Sequence, residues 1–468
     1  MDKRYGYEAL LARKNEIMKN AMRMDYSIYE TGKISFDYEK MMNETGYSLE
    51  EIRAIQSQSS VGNTPLIELT NLTRLARKLS APGYGARIFI KDEATNPSGS
   101  FKARRAAVSV YHAKRLGYKG VIAATSGNYG AAIASQAAMK GLNCIIVQEV
   151  YDSKGAGQPE IIEKGRKCEA YGAEVVQLTV GPELFYVFLR LLEETGYFNC
   201  SLYTPFAIAG IETLGAEIVQ QVKQKEGKPP TAIVVTHAGG GNLTGTARGV
   251  LKAGYPNIAI IGASVNLEGL HMASDHDFNR KSFTTGHTGF GVPFATWPDR
   301  TDVPRNAARP LRYMDRYVTV TQGDVFFMTE ALAQLEGIER GPAGNTSLAA
   351  AFAIAQELKK EEIIVVQETE YTGAGKHPTA QLTFARQQGV EVRTGNPSDD
   401  KPGERIIIPE QPNMITVKDL DLNKIRTSYL RNSTKNYKPC QLEQVDLKFL
   451  AQDTKTSIDF VKTVLGVE

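Results

Sequence analysis

A lysine at the start of a predicted helix is the residue of this sequence best placed for covalent chemistry. Lys102 follows the turn Asn-Pro-Ser-Gly-Ser-Phe at 96–101, which comes shortly after an apolar run at 88–90. The first backbone N–H groups of a helix have no intrahelical partners and attract anions, so an amine there can meet a bound anionic molecule. The pattern also fits an ordinary capped helix with a solvated lysine, and the other motifs must decide between the two.

A second polar turn, Thr-Ser-Gly-Asn-Tyr at 125–129, follows the apolar run 121–124 and enters a helix of small residues. Such a turn presents N–H groups and hydroxyls to one point, which suits a carboxylate. Asn128 adds an amide that can donate to a ring oxygen. An N-cap cluster without a ligand is the alternative.

A glycine turn, Gly-Gly-Gly-Asn-Leu at 239–243, follows the apolar run 233–236. Consecutive glycines let the backbone N–H groups close around a small anion, and the following helix adds its dipole. The turn lacks the Lys-Ser/Thr pair of an ATP-binding loop and is not a GxGxxG motif. It therefore predicts a single phosphate ester, with a plain flexible turn as the alternative.

A fourth stretch, Glu-Thr-Glu-Tyr-Thr-Gly-Ala-Gly-Lys-His at 368–377, follows the apolar run 363–367. Ligands of open α/β sheets bind beyond the carboxyl ends of the strands, where Thr369 or Thr372 could hydrogen-bond a ring nitrogen. Together, an amine, an amide for a ring oxygen, a phosphate turn and a hydroxyl for a ring nitrogen match the functional groups of pyridoxal 5′-phosphate. The four stretches therefore predict that cofactor.

The elements that must position these stretches show a regular alternation from residue 86 onward. The predicted strands are 87–90, 121–124, 144–148, 175–178, 233–236, 258–263 and 363–367, and the predicted helices are 102–116, 130–140, 160–171, 182–194 and 346–359. Short apolar strands alternating with helices predict an α/β fold with parallel strands covered by helices on both faces.

Composition limits the function classes. The chain has 468 residues, 42% apolar and 23% charged, with a net charge of +3, which predicts at least two domains and neither a nucleic-acid nor a membrane partner. The first residues lead into no signal-peptide core. The four cysteines are widely spaced, so we expect reduced thiols and a cytoplasmic location. The six histidines are scattered, and His271 and His276, five apart, have no nearby carboxylate pattern of a metal-binding helix, so we expect no metal site.

The four motifs resemble those of the tryptophan-synthase-β-like superfamily of pyridoxal-phosphate enzymes, which includes threonine synthase and cysteine synthase. The resemblance covers about residues 60–385 and implies that Lys102 holds the cofactor as a Schiff base and later moves protons. For the cofactor it implies Lys102, Asn128 (ring oxygen), Gly239, Gly240, Gly241, Asn242 and Leu243 (phosphate) and Thr372 (pyridine nitrogen), and for the substrate carboxylate Thr125, Ser126, Gly127 and Tyr129.

The resemblance also implies a fold of two open, mostly parallel twisted sheets covered by helices. A larger cofactor-binding domain would comprise 61–96 and 206–395, a smaller domain 97–205, and helical extensions 1–60 and 396–468. Two departures stand out. The family often has Asp-Arg after the lysine, where this chain has Ala103-Arg104, and the lead-in Glu-Thr-Glu at 368–370 makes Thr369 a competitor of Thr372 for the nitrogen.

Three further stretches, 151–155, 284–297 and 367–377, are similar to the large subunits of a group of two-subunit thiolases in that superfamily. This resemblance implies that coenzyme A cleaves 2-amino-4-oxopentanoate into alanine and acetyl-CoA, as in ornithine degradation. It implies a small alpha subunit as partner, with this chain as a homodimer inside the hetero-oligomer. The loop 285–291 would position the ketone or the thioester.

Two alternatives stay open at this point. The first is an enzyme of the threonine-synthase kind, which replaces or eliminates a β- or γ-substituent of an amino acid with the same cofactor. The second is a non-catalytic subunit that binds a phosphorylated metabolite.

Overall fold

The computed structural model describes residues 6–125, 127–152, 154–181, 183–267, 282–284, 295–296, 302–371 and 377–467. Two predicted site residues, Ser126 and Thr372, and the loop 285–291 lie outside these ranges.

The described strands are, in chain order, β1 (Leu66–Glu68), β2 (Arg87–Asp92), β3 (Gly120–Ala124), β4 (Asn143–Tyr151), β5 (Glu174–Thr179), β6 (Phe198–Asn199), β7 (Ala232–Thr236), β8 (Ala259–Val265), β9 (Arg316–Val320), β10 (Ile363–Glu368), β11 (Glu391–Gly395), β12 (Arg405–Pro409) and β13 (Lys418–Asp419).

The described α-helices are α1 (Tyr7–Ala12), α2 (Lys14–Met22), α3 (Tyr38–Asn43), α4 (Leu49–Ser57), α5 (Thr70–Leu79), α6 (Lys102–Arg115), α7 (Asn128–Lys140), α8 (Pro159–Ala170), α9 (Glu183–Thr195), α10 (Pro205–Glu226), α11 (Gly241–Lys252), α12 (Gln322–Glu336), α13 (Pro342–Ala355), α14 (Thr383–Gln387), α15 (Leu422–Thr434), α16 (Gln444–Asp453) and α17 (Ile458–Leu465). Within the described ranges, no helix has the length and apolar character needed to cross a bilayer.

Two sheets carry the architecture. The larger has the spatial order β1-β2-β10-β7-β8-β9-β13, and the smaller β5-β4-β3-β6. The smaller sheet is parallel throughout, whereas the larger has antiparallel edge strands, β1 and β13, on a parallel centre. The predicted α/β class with mostly parallel sheets is confirmed. The domain boundaries given above stay a prediction.

Strand β10 shows why the central strands are apolar without alternation. Successive side chains point to opposite faces, and both faces are covered. Ile363 and Val365 belong to the core that also holds Leu214 of α10, whereas Ile364 and Val366 belong to the core that holds Phe352 of α13. All four strand residues are fully buried. A polar substitution would therefore be buried on either face.

Helix α10 packs against α6 and α11 and has clear local end signals. The Thr204 hydroxyl accepts a hydrogen bond from the backbone N–H of Ala207 at 3.2 Å, and Pro205 occupies the first turn, where no N–H is needed. At the other end Gly227 adopts a positive φ of 73°, which ends the helix. The 22-residue helix is buried along most of its length.

The two terminal extensions meet each other. The Asp446 carboxylate on α16 accepts hydrogen bonds from the backbone N–H groups of Ile34 and Ser35 at 2.8 and 3.0 Å. Phe36 packs against Phe449, with ring centroids 5.0 Å apart. Both extensions are largely helical, as predicted, but the C-terminal one also supplies strand β13 to the edge of the larger sheet. The extensions are therefore part of one packed unit.

Substituting Asp446 by Ala is expected to lower the free energy of unfolding by about 2 kcal/mol, because two buried N–H groups lose a charged acceptor. Burial opposes ionisation of this carboxyl, but the backbone hydrogen bonds outweigh it and lower its pKa. Thermal unfolding measures the loss. Asp459→Ala on the exposed side of α17 is the matched control, and equal melting temperatures for the two variants would contradict the assignment.

Candidate active site

Lys102 is positioned by a turn that is held by hydrogen bonds within itself and to the segment after β10. After β2 the chain passes through a 3₁₀ turn, Glu93–Thr95, and the Gly99 N–H then donates to the Asn96 carbonyl at 2.6 Å. Gly99 has a φ of +74°, which favours glycine. The N–H of Phe101 donates to the carbonyl of Thr369 at 3.0 Å, so the segment after β10 runs alongside this turn. Lys102 then begins α6 with its amine in a cavity.

The second predicted turn forms another wall of that cavity. Thr125 follows β3 and its N–H donates to the carbonyl of Val147 at 2.9 Å, while Gly127 donates its N–H to the Thr125 hydroxyl at 3.3 Å. Asn128 and Tyr129 begin α7. The Tyr129 side chain is buried, and its hydroxyl interacts with the side chains of Ser109 and Arg105. A buried hydroxyl of this kind can serve a bound ligand.

The glycine turn between β7 and α11 forms a third wall. A Cβ added at Gly239 would lie 2.2 Å from the hydroxyl oxygen of Tyr203, and one added at Gly241 would lie 2.4 Å from Nη2 of Arg105. Gly240 has a φ of +81°. Glycine avoids both contacts and permits the positive φ of Gly240, and the first N–H groups of α11 have no intrahelical partners. The buried Asn242 amide has no described partner for its oxygen or its nitrogen.

The cavity enclosed by these walls has a volume of about 210 Å³. Of the predicted residues, those that line it are Lys102, Thr125, Gly127, Asn128, Tyr129, Gly239, Gly240, Gly241 and Asn242. Leu243 is buried beside them without lining the cavity. Thr369, the competitor for the ring nitrogen, lines it as well. The structure thus brings together the four predicted stretches as far as it describes them.

The environment of Lys102 favours the neutral amine. Burial lowers the pKa of Lys102 well below its usual range, and the neighbouring Arg105 guanidinium lowers it further. The Phe101 ring centroid lies 4.7 Å from the Lys102 amine nitrogen. A neutral amine is the nucleophilic form, so this lysine is ready to react with a carbonyl group.

Several cavity residues escaped prediction. They are Arg105, Glu149, Glu160, Lys164, Leu184, Leu202 and Tyr203. Arg105 follows Lys102 by three residues, and this helical spacing could have revealed it. Glu160 and Lys164 lie on α8, and no local sequence pattern predicts that they line the cavity. Within the described part of the chain, no group of His, Cys, Asp and Glu side chains could hold a metal ion.

Glu160 should make stability depend on pH. Burial and the nearby Glu370 raise the pKa of Glu160 to about 8, with Glu163 acting in the same sense and Lys164 opposing them. Between its ordinary pKa of 4.5 and about 8, the folded chain holds a proton that the unfolded chain releases. The free energy of unfolding should therefore fall as pH rises through this window.

Replacing Glu160 by Gln removes that dependence, so the variant should be more stable than the parent at pH 8, by about 1 kcal/mol or more, and equally stable near pH 4.5. Thermal unfolding at a series of pH values measures the difference. Glu169→Gln, at an exposed position of the same helix, should leave the pH profile unchanged. Parallel profiles for Glu160→Gln and the parent would contradict the raised pKa.

A larger cavity, of about 870 Å³, lies at the other end of α11. Its walls come from the last turns of α11 and from α16 and α17, and they include Leu251 and Lys448. It contains none of the predicted site residues. The chemistry of the four motifs therefore belongs to the smaller cavity.

Comparison with known proteins agrees with this geometry. The family model described as "Pyridoxal-phosphate dependent enzyme" matches residues 58–370. The chain therefore belongs to the family of pyridoxal-phosphate-dependent enzymes, and pyridoxal phosphate is its cofactor, as the four motifs predicted.

Two relatives resemble the chain over its whole length. A 2-amino-4-ketopentanoate thiolase beta subunit from an unknown prokaryotic organism is 68% identical, covering 99% of this chain and 98% of the relative. Another thiolase beta subunit of that name, from Acetoanaerobium sticklandii, is 66% identical and covers 99% of both chains. The structure of a T.th. threonine deaminase, 24% identical, covers 70% of this chain and 98% of its own with a TM-score of 0.51, which shows the shared fold.

The residues present fit the cofactor. The glycine turn leaves N–H groups for a phosphate, the buried amide of Asn242 has no hydrogen-bond partner among the described residues, and burial lowers the pKa of the Lys102 amine toward the neutral form. Each of these groups suits one functional group of pyridoxal phosphate. The residue-by-residue roles stay predictions.

Proposed function

We propose that this chain is the cofactor-binding, catalytic subunit of a thiolase that cleaves 2-amino-4-ketopentanoate with coenzyme A to give alanine and acetyl-CoA. The observation that carries the proposal is the 66% and 68% identity to thiolase beta subunits along 99% of the chain, including both extensions. The family model alone, which spans 58–370, would fit many reactions of the same cofactor. The cavity around Lys102 is the site of the reaction in this proposal.

We assign the roles of the site residues from the four motifs and, for the described residues, from their place at the cavity. Bound pyridoxal phosphate supplies an aldehyde that captures amino groups and a ring that withdraws electrons from bonds near the α-carbon. Lys102 holds the cofactor and moves a proton at the α-carbon of the substrate. Gly239 to Leu243 bind the phosphate, Asn128 meets the ring oxygen, and Thr372 or Thr369 meets the ring nitrogen. The turn of Thr125, Ser126, Gly127 and Tyr129 binds the substrate carboxylate.

The thiol of coenzyme A attacks the C4 ketone directly in this proposal. The sulfur–C4 bond forms, the C3–C4 bond breaks, and the proton that the thiol loses is balanced by the one that C3 gains in alanine. An acyl-cysteine is not needed. Burial raises the pKa of the Cys144, Cys168 and Cys200 thiols, so these groups are protonated at neutral pH and are poor nucleophiles.

The test is an assay of acetyl-CoA formation from 2-amino-4-ketopentanoate and coenzyme A, with the chain alone and with the small subunit of the thiolase added. Equal amounts of alanine and acetyl-CoA, formed only when the chain is present, support the proposal. O-phosphohomoserine serves as the competing substrate. Turnover of that compound without any acetyl-CoA would favour an enzyme of the threonine-synthase kind instead.

We propose that the small subunit docks where the C-terminal extension meets α11. The thiolase beta subunits match this chain beyond the 58–370 core, and a beta subunit implies another subunit. The cavity of about 870 Å³ at this place has the half-exposed Leu251 and the exposed Lys448 in its walls. Leu251→Glu and Lys448→Glu should weaken subunit binding in a pull-down assay. Lys424→Glu on α15 is the control, and unchanged binding by all three variants would exclude this surface.

A further inference from the structure

Arg105 projects from α6 into the same cavity as Lys102. The two residues are three apart, so their side chains share a face of the helix. The Arg105 side chain is 2% exposed, and its Nη2 packs against Gly241, where an added Cβ would lie only 2.4 Å away. The guanidinium therefore sits beside the glycine turn that begins α11.

The positive charge of Arg105 has no carboxylate partner within the described residues. Its Nη1 donates to the Leu202 carbonyl at 3.4 Å, its Cζ lies 5.6 Å from the Phe101 ring centroid, and its Nε has no hydrogen-bond partner there. Burial lowers the pKa of Arg105 to about 10, so the side chain is still charged at neutral pH. A buried, uncompensated cation is costly.

The neighbouring arginine shows the contrast. Arg104 is also fully buried, but it bonds to the carboxylates of Glu93 and Glu217. The charge of Arg104 is therefore balanced by carboxylates of the protein, whereas the adjacent Arg105 lines the cavity without a carboxylate partner among the described residues. The charge of Arg105 calls for an anion that the protein itself does not supply.

We propose that Arg105 is an ionic ligand of the cofactor's phosphate and makes the site selective for the phosphorylated form of the cofactor. The guanidinium lies beside Gly241, so it can meet the same phosphate as the N–H groups of the glycine turn. An arginine donor to a phosphate is among the stronger hydrogen-bonding partners in proteins. Arg105 also interacts electrostatically with the hydroxyls of Tyr129 and Tyr203. Its Nη2 lies beside Gly241 of the glycine turn, so we assign it to the phosphate.

The inference rests on the proposed site and not on the thiolase reaction, so its test uses neither 2-amino-4-ketopentanoate nor coenzyme A. Cofactor-free full-length protein is titrated with pyridoxal 5′-phosphate and, separately, with pyridoxal, which lacks the phosphate. Arg105→Met should weaken binding of the phosphorylated form by about 10- to 100-fold. Binding of pyridoxal should stay within about threefold of the parent, and Arg105→Lys should recover part of the selectivity because it keeps the charge.

Thermal unfolding of the cofactor-free proteins gives a second readout. The substitution should weaken cofactor binding but should not lower the stability of the cofactor-free protein. A buried charge without a partner destabilises the cofactor-free fold, so Arg105→Met should melt at the same temperature as the parent or higher. A purely structural arginine would give a lower melting temperature. Equal loss of affinity for both forms of the cofactor, or a lower melting temperature of cofactor-free Arg105→Met, would overturn the proposal.

Discussion

Replacing Lys102 by Ala is expected to lower the rate of acetyl-CoA formation by about 10²- to 10⁴-fold or more, the range lost with a general acid–base group. The variant should also lose the near-visible absorption of a lysine-bound cofactor, because no amine remains at this place in the cavity to hold the aldehyde. The physical reason is that Lys102 supplies this amine, and burial lowers its pKa toward the nucleophilic, neutral form.

Two measurements separate a chemical role of Lys102 from a structural one. Borohydride reduction of the parent, followed by peptide mapping, should place the cofactor on Lys102, and the Lys102→Ala variant should give no labelled peptide. Lys114→Ala, at the exposed end of the same helix, should keep both absorption and activity. Cofactor found on another lysine would refute the assignment.

Replacing Arg104 by Met should have the largest effect on stability, lowering the free energy of unfolding by about 3–5 kcal/mol. The Arg104 guanidinium bonds to Glu93 at 2.7 and 2.8 Å and to Glu217 at 2.7 and 2.9 Å. These side chains join the start of the Lys102 turn to α6 and α10. Without Arg104, two buried carboxylates would lose their main counterion, and Lys91, 3.0 Å from Glu217, could compensate only in part.

The pH dependence of this loss is specific. Burial tends to raise the pKa of Glu217, but Arg104 and Lys91 outweigh it and hold the pKa at about 2. The ion pair therefore stabilises the fold above the ordinary glutamate pKa of 4.5 and is lost as pH falls through about 2. The stability difference between the parent and Arg104→Met should be constant from pH 6 to 8 and should shrink in acid.

Chemical denaturation at each pH measures this difference. Arg115→Met, at the exposed end of α6, should cost less than about 1 kcal/mol, as surface charges usually do. A similarly small loss for Arg104→Met would mean that the buried network does not stabilise the fold.

The structure also explains why this chain has Ala103 where the family often has Asp after the lysine. Ala103 is buried in a small apolar cluster with Val61 and Ala107, where a carboxylate would have no polar surroundings.

The central strands could be predicted because burial on both faces leaves continuous apolar runs. The run 363–367 differs from β10 by one residue at its end, and 121–124 from β3 by one at its start. Strand β9 was missed, although α12 follows it directly, because the glycine-bearing sequence 284–297 before it interrupts the strand–helix alternation. The two-residue β13 leaves no pattern at all. Helix α10 was missed although Thr204, Pro205 and Gly227 mark its ends.

The site was predictable to the extent that its residues follow strands. Lys102, the turn at Thr125 and the glycine turn each come after an apolar run, and the carboxyl ends of parallel strands converge. Glu160 could not be found in this way, because it lies on α8, a helix that packs against the smaller sheet. Its side chain lines the cavity only as a result of tertiary packing. Arg105 was overlooked, although it follows Lys102 by three residues and so shares a face of α6 with it.

The contact between the two extensions has a consequence for the order of folding. Ile34 and its acceptor Asp446 are 412 residues apart in the chain. At ribosomal rates of roughly 5–20 residues per second, about 20–80 s pass between their synthesis. During that time the Phe36 ring cannot pack against Phe449, which is not yet synthesised. The backbone N–H groups of Ile34 and Ser35 stay hydrogen-bonded to water. This part of the N-terminal extension is among the first to leave the ribosome, and it gains its contacts with α16 only when the chain is nearly complete.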